Sequence, residues 1–236
     1  MSRFPTPTPT PTHSTRPAVR AVVFDIGGTV FDETRQWAGW ARWLGVPEAT
    51  FFAAFGSVIE RGTHMNEVFA LFDHGHIDPQ AVRTQRMSAG EPDEFGLEDL
   101  HHDALSCFEE LRACGYLVGL AGNQLEHRHT LLEKLSLPVD FIATSARWGV
   151  EKPDAGFFDR VARTCRLAPG EIAYVGDRVD HDVLPALRAG FVTVFVRRGP
   201  WGHIHARTAD AERAHLRLDK LDALPGQLRW WDEDAS

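Results

Sequence analysis

The chain has 236 residues, 43% of them hydrophobic, and a formal net charge of -8. That length accommodates one domain plus a sizeable insertion, and a chain this long buries most of its surface without staples. The acidic balance excludes a general nucleic-acid binder, which needs a basic face to displace counterions. It leaves room for a phosphorylated ligand, because a metal ion and one lysine reverse the field inside a cleft. The three cysteines, Cys107, Cys114 and Cys165, form neither a disulfide framework nor a metal-ligand pattern, and they point to a reducing cytoplasm. No stretch approaches the ~18 apolar residues of a membrane helix, so no membrane partner is expected.

Residues 1–17 start Met1-Ser2-Arg3-Phe4, alternate Pro and Thr over 5–12, then run through His13, Ser14 and Arg16 to Pro17. This low-complexity leader is expected to be disordered and is set apart from the fold. Ala21–Phe24 is a short apolar run that ends at Asp25, with Gly27 and Gly28 following, and reads as a buried strand entering a tight loop. Between residues 33 and 100 the apolar residues recur at helical spacing: Trp37, Trp40, Ala41 and Leu44, then Phe51, Phe52, Phe55, Val58 and Ile59, then Val68, Phe69, Leu71 and Phe72. No strand-like alternation appears, so this segment is read as a helical module packing its own aromatic core.

From residue 103 a strand–helix rhythm begins. Ala104, Leu105, Phe108 and Leu111 line a helix stopped near Gly115. Strands are expected over 116–121, 139–144, 171–175 and 191–196. Helices are expected over 125–135, from Asp154 as N-cap to about Arg166, and over 182–189. This alternation predicts an α/β fold: a Rossmann-like parallel sheet with helices on both faces, plus an inserted all-helical segment. The α/β core is expected over 18–32 and 101–202, with 203–236 as a C-terminal tail on the core. In that tail Leu216, Leu218, Leu221 and Leu224 suggest one short helix, with Trp230 and Trp231 as anchors. In open α/β sheets ligands bind beyond the carboxyl ends of the strands, and Asp25, Asn123 and Asp177 each follow a strand, so the three should converge.

Each candidate has its own chemistry. A carboxylate at the end of a buried strand, such as Asp25, must be paired or bound to a metal. Gly27 and Gly28 let the backbone turn sharply and approach a ligand, and Thr29 can hydrogen-bond within that loop. The Gly122–Asn123 turn can hold a phosphate oxygen. Lys152 is one of three lysines against 22 arginines, and a lysine beside a carboxylate pair neutralises it and binds phosphate as a point charge. Asp177, Asp180 and Asp182 put three acids into six residues after a strand, which suits a hard divalent cation. Of these, Asp180 is assigned to helix capping and Asp177 to metal.

Motif by motif the chain resembles the haloacid dehalogenase-like (HAD) superfamily. VVFDIGGTV at 22–30 looks like the first motif, with Asp25 at the nucleophile position. LVGLAGNQ at 117–124 looks like the second, with Gly122 where serine or threonine is usual. EKPD at 151–154 carries the third-motif lysine, and YVGDRVDHD at 174–182 looks like the acidic fourth motif. The helical segment 33–100 lies where the family places its first-class cap. The resemblance implies a hydrolase, most readily a Mg²⁺-dependent phosphatase of a small phosphorylated metabolite. Asp25 would form an aspartyl-phosphate and divide one hard step into two. Mg²⁺ would be held by Asp25, the Gly27 carbonyl and Asp177, with Asp182 close by. Lys152, Thr29, Gly122 and Asn123 would support the transferring phosphoryl group.

Two positions depart from the family. Family phosphatases usually carry a second aspartate two residues after the nucleophile, as proton carrier; here that residue is Gly27, and Asp32, Glu33, His64, His74 or His76 would have to substitute. Gly122 lacks the usual hydroxyl. Two further readings follow from these departures: a non-catalytic phosphate-ligand binding or regulatory protein, and a metal-independent dehalogenase. A carbon–phosphorus hydrolase would need a lysine in the helical segment, and Lys134 and Lys220 both lie outside it. Substrate choice is expected near Arg35, Arg61 and Gly62. Oligomeric state is not readable.

Overall fold

The computed structural model describes residues 17–72, 78–91 and 95–233. Six strands form one parallel sheet in the order β3-β2-β1-β4-β5-β6. They are β1 (Ala21–Phe24), β2 (Leu117–Gly122), β3 (Phe141–Thr144), β4 (Ile172–Gly176), β5 (Val192–Val196) and β6 (Leu216–Leu218). β1 is central: Phe24 is in register with Leu120 on one side and with Val175 on the other.

All four residues of β1 are fully buried, because both faces of the sheet are covered. Val22 and Phe24 pack with Ala104, Phe108 and Leu111 of α5 (Ala104–Ala113) and with Leu224 and Leu228 of the C-terminal helix (Leu224–Glu233). Ala21 and Val23 face the other way, toward Phe157, Phe158 and Val161 of α8 (Ala155–Cys165) and Ala186 of α9 (Leu184–Arg188). The period-2 alternation of strand side chains thus divides the core into two layers. Asp154 caps α8 by accepting the Gly156 amide at 2.7 Å, and Gly115, at φ 89°, follows the end of α5.

Between β1 and α5, the described residues form four α-helices: α1 (Thr34–Trp43), α2 (Glu48–Glu60), α3 (Glu67–Ala70) and α4 (Pro79–Ser88). Trp37, Trp40, Phe51, Phe55, Val58 and Phe69 form a separate aromatic core. Trp201 of α10 (Gly199–His205) joins that core, edge-on to Phe55 at 5.0 Å between ring centroids. The remaining helices are α6 (Glu126–Lys134) and the single turn α7 (Ser145–Trp148). No helix among the described residues is long and apolar enough to cross a membrane.

Three local expectations are corrected. Leu216 and Leu218 lie on a strand, buried on either side of exposed Arg217, and the final helix starts only at Leu224. Trp230 is exposed and anchors nothing, whereas Trp231 packs against the core. The helix expected from Asp182 is entered through a π-helical turn, Val179–Val183. The leader (1–16), His74 and His76 lie outside the described residues.

Candidate active site

Because β1, β2 and β4 run parallel, Asp25, Asn123 and Asp177 leave the sheet at the same edge. They open onto a cleft of about 500 Å³ that Glu33, Trp37, His64, Arg83, Arg128 and Lys152 also line. The Asp25 amide donates to the Val175 carbonyl at 2.8 Å, which carries the β1–β4 ladder up to the first site residue.

Lys152 is the hub. Its Nζ donates to Asp25 Oδ1 at 2.6 Å and to Asp182 Oδ1 at 2.5 Å. All three residues are buried. Burial alone favours the neutral amine, but Asp182 and Asp25 outweigh it and raise the Lys152 pKa well above its usual value. Burial pushes the Asp25 pKa up to about 6, with Lys152 pulling against it and Asp182 adding to it. The loop that carries Lys152 is held by Asn123. The Asn123 Nδ2 donates to the Lys152 carbonyl, and the Lys152 amide donates to Asn123 Oδ1, both at 2.8 Å. The Lys152–Pro153 peptide bond is cis.

Asp177 sits beside this pair. Burial, then the charges of Asp182 and Asp25, raise its pKa well above the carboxylate range. Thr29 Oγ1 donates to Asp177 Oδ1 at 3.2 Å. Asp177 Oδ2 is buried without a hydrogen-bond partner among the described residues. Asp25, Asp177 and Asp182 each present an oxygen within 4.8 Å of the others. A buried carboxylate oxygen without a donor, in an all-oxygen set, fits a hard cation such as Mg²⁺. Asp182 is differently placed: Oδ1 takes Lys152 and Oδ2 accepts the Arg178 amide at 2.9 Å.

Gly28 adopts φ 73°, and an added Cβ would lie 2.6 Å from Asp177 Oδ2. Only glycine combines that backbone with so close an approach of the two loops. At Gly122 an added Cβ would lie 2.6 Å from Asp25 Oδ1, so the missing side chain is space that the carboxylate uses.

Several expected roles change. Thr29 is fully buried and its hydroxyl donates to Asp177. The Asn123 side chain holds the Lys152 loop. Asp180 lies in the first turn of the π-helical segment, where its charge suits the helix dipole, but its side chain makes no cap hydrogen bond and instead accepts Arg178 Nη2 at 2.6 Å and Nε at 3.1 Å. Of the proposed specificity residues, Arg35 pairs with Asp99 and Glu98, Arg61 bonds Ser57, and Gly62 lines the cleft.

One buried pair escaped the sequence reading. Arg198 Nη2 donates to Asp103 Oδ2 at 2.5 Å, and Nη1 donates to the Thr29 carbonyl at 3.0 Å. The same Asp103 oxygen accepts the Leu221 amide at 2.8 Å. The pair therefore ties the loop after β1 to the start of α5 and to the C-terminal segment. Arg198 comes two residues after β5, so the strand-end rule that found Asp25 could have reached it.

A parallel sheet with a lysine-bridged acid cluster at its carboxyl edge defines a Rossmann-like α/β protein with a candidate active site. The HAD-hydrolase-like family model matches residues 150–224, a stretch that holds Lys152, Asp177 and Asp182. Over that stretch the chain resembles the HAD superfamily. It is 35% identical over 111 residues to a glyceraldehyde 3-phosphate phosphatase of Methanopyrus kandleri, covering 46% of this chain and 48% of the relative. The match spans about half the length of each of the curated relatives. Among solved structures, an HAD-hydrolase from Bacillus subtilis bound to magnesium superposes with TM-score 0.67 at 18% identity, covering 90% of this chain and 99% of that one. An L-2-haloacid dehalogenase from Xanthobacter autotrophicus reaches 0.66 at 17%, covering 89% and 98%. These structural likenesses concern the fold alone.

Proposed function

We propose that this protein is a Mg²⁺-dependent phosphatase that removes phosphate from a small phosphorylated metabolite through an aspartyl-phosphate on Asp25. The observation that carries the reading is the bridge of Lys152 between Asp25 and Asp182, beside the unpartnered Asp177 Oδ2 at the mouth of the cleft. The glyceraldehyde 3-phosphate phosphatases it resembles supply the substrate class, a small phosphate ester.

Asp25 attacks phosphorus in line and the alcohol departs; water then cleaves the acyl phosphate and returns Asp25 to its carboxylate. Lys152 keeps Asp25 anionic despite burial and offers the incoming phosphate a fixed positive charge. Asn123 sets the position of Lys152, and Asp182 holds its ammonium from the opposite side. Asp25 and Asp177 would hold Mg²⁺, which would supply Lewis-acid charge to offset repulsion between the carboxylate and the phosphoryl oxygens. The helical segment acts as a cap that excludes water and shapes the cleft.

The test is phosphate release from an activated aryl phosphate, with and without Mg²⁺, for wild type and Asp25→Asn. Release that needs Mg²⁺ and disappears in the variant is expected. Thermal stabilisation by inorganic phosphate without any turnover would replace this reading with a binding protein.

A further inference from the structure

Departure of an alcohol from phosphorus needs a proton on the bridging oxygen, and attack by water on the acyl phosphate needs a proton taken away. Gly27, in the loop directly after the nucleophile, has no side chain to do either. We infer that Glu33, at the start of α1, carries that proton in both half-reactions; the assignment rests on the phosphatase reading above.

The geometry around Gly27 points there. A Cβ added at Gly27 would lie 2.5 Å from Glu33 Oε1, 2.8 Å from Cδ and 3.2 Å from Oε2. The Glu33 carboxylate therefore fills the volume that a side chain at position 27 would enter. It lines the same cleft as Asp25, Lys152 and Asp177, with its side chain 20% exposed. Its charge is felt at Asp177. The Glu33 backbone is anchored, since its carbonyl accepts the Trp37 amide at 3.0 Å. Arg128, itself 5% exposed, places Nη1 3.7 Å from Oε1 and so orients the carboxylate. Arg128 is fixed in turn by Gln124 Oε1 at 3.2 Å and by the Phe95 ring.

Glu151, His181 and other carboxylates and histidines also line the cleft, but the three atoms nearest to a Cβ at Gly27 all belong to Glu33. Asp25 and Asp182 hold Lys152, Asp180 holds Arg178, and His64 Nδ1 accepts the Asn66 amide. The cycle then balances. Glu33 as the acid protonates the leaving oxygen while the Asp25–phosphorus bond forms and the ester P–O bond breaks. Glu33 as the carboxylate next takes a proton from the attacking water, phosphate leaves Asp25, and the acid is regenerated.

The test compares an alkyl ester, glycerol phosphate, with an aryl ester, p-nitrophenyl phosphate, whose phenolate departs without a proton. Glu33→Gln keeps the shape of the side chain. It is expected to lower kcat about 10²–10⁴-fold on the alkyl ester, with a much smaller loss on the aryl ester at the acyl-phosphate-forming step, read as the burst of phenolate. Gly27→Asp is expected to be poor alone, because its side chain collides with Glu33. Combined with Glu33→Ala it should restore alkyl-ester turnover, which a purely structural glutamate would not predict. Equal losses on both esters, or no loss on either, overturn the assignment while leaving the phosphatase reading intact. A wild type that hydrolyses neither ester removes both.

Discussion

Replacing Asp103 with asparagine should reveal how much the fold depends on the pair that anchors the loop after β1. Asp103 is 2% exposed and Arg198 is 7% exposed. Asparagine keeps an acceptor for the Leu221 amide but leaves the Arg198 guanidinium buried without its counter-charge. Removing one member of a buried pair costs about 3–5 kcal/mol, most of it the uncompensated charge. A chain of this size loses about 2–4 °C of Tm per kcal/mol, so the variant should melt roughly 6–20 °C lower. Thermal unfolding followed by circular dichroism measures this, with Arg198→Met and the double variant completing a cycle. The double variant should lose less than the sum, because neither charge then remains alone. The sign of the pH dependence is also fixed. Burial raises the Asp103 pKa, but the Arg198 hydrogen bond and the Leu221 amide outweigh it and hold it below 3.8. Stability from the pair is therefore present above pH 3.8 and is lost as the pH falls through the lower folded value, so wild type and variant should converge in acid. A loss under about 1 kcal/mol, strict additivity in the cycle, or a difference that widens in acid would refute the reasoning.

Other expectations concern the site and the sheet. Lys152→Met removes the cation shared by Asp25 and Asp182 and should lower kcat on an aryl phosphate about 10²–10³-fold, the range for losing one preorganised charge; a rate within threefold of wild type would contradict the bridge. Mg²⁺ at 100 times its Kd should stabilise the wild type by about 2.7 kcal/mol, a shift that EDTA reverses and Asp177→Asn abolishes. In the sheet, Gly119 faces the Phe141 ring across the β2–β3 pair, with no room for a Cβ. Gly119→Val should cost about 1–3 kcal/mol by overpacking, measured by urea unfolding.

Much of the frame could be read from residue order. The strand–helix alternation after residue 103 predicted the parallel sheet, and the strand-end positions of Asp25, Asn123 and Asp177 predicted their convergence. These signals are local: a buried apolar run followed by a polar residue or glycine. What remained hidden depends on contacts between distant segments. Nothing in the sequence pairs Asp103 with Arg198, 95 positions apart. Thr29 is polar and sits in a loop, and only the fold shows its hydroxyl turned toward Asp177. Leu216 and Leu218 lie two apart on a three-residue strand, too short for alternation to compete with the helical spacing of Leu221 and Leu224. Glu33 was one of several proton-carrying candidates, and the empty position at Gly27 singles it out only in three dimensions.

The central place of β1 also sets an order of events during synthesis. Its neighbours are β2, which begins at Leu117, and β4, which begins at Ile172. At about 5–20 residues per second, the ribosome needs roughly 8–30 s after making β1 to deliver β4. The intervening helical segment can begin to form in that interval, but its aromatic core is completed only by Trp201, which follows β4 in the chain. Asp25 must wait for the strand that brings Asp177, so the half-made chain holds one carboxylate of the acid cluster while the cluster is still unassembled.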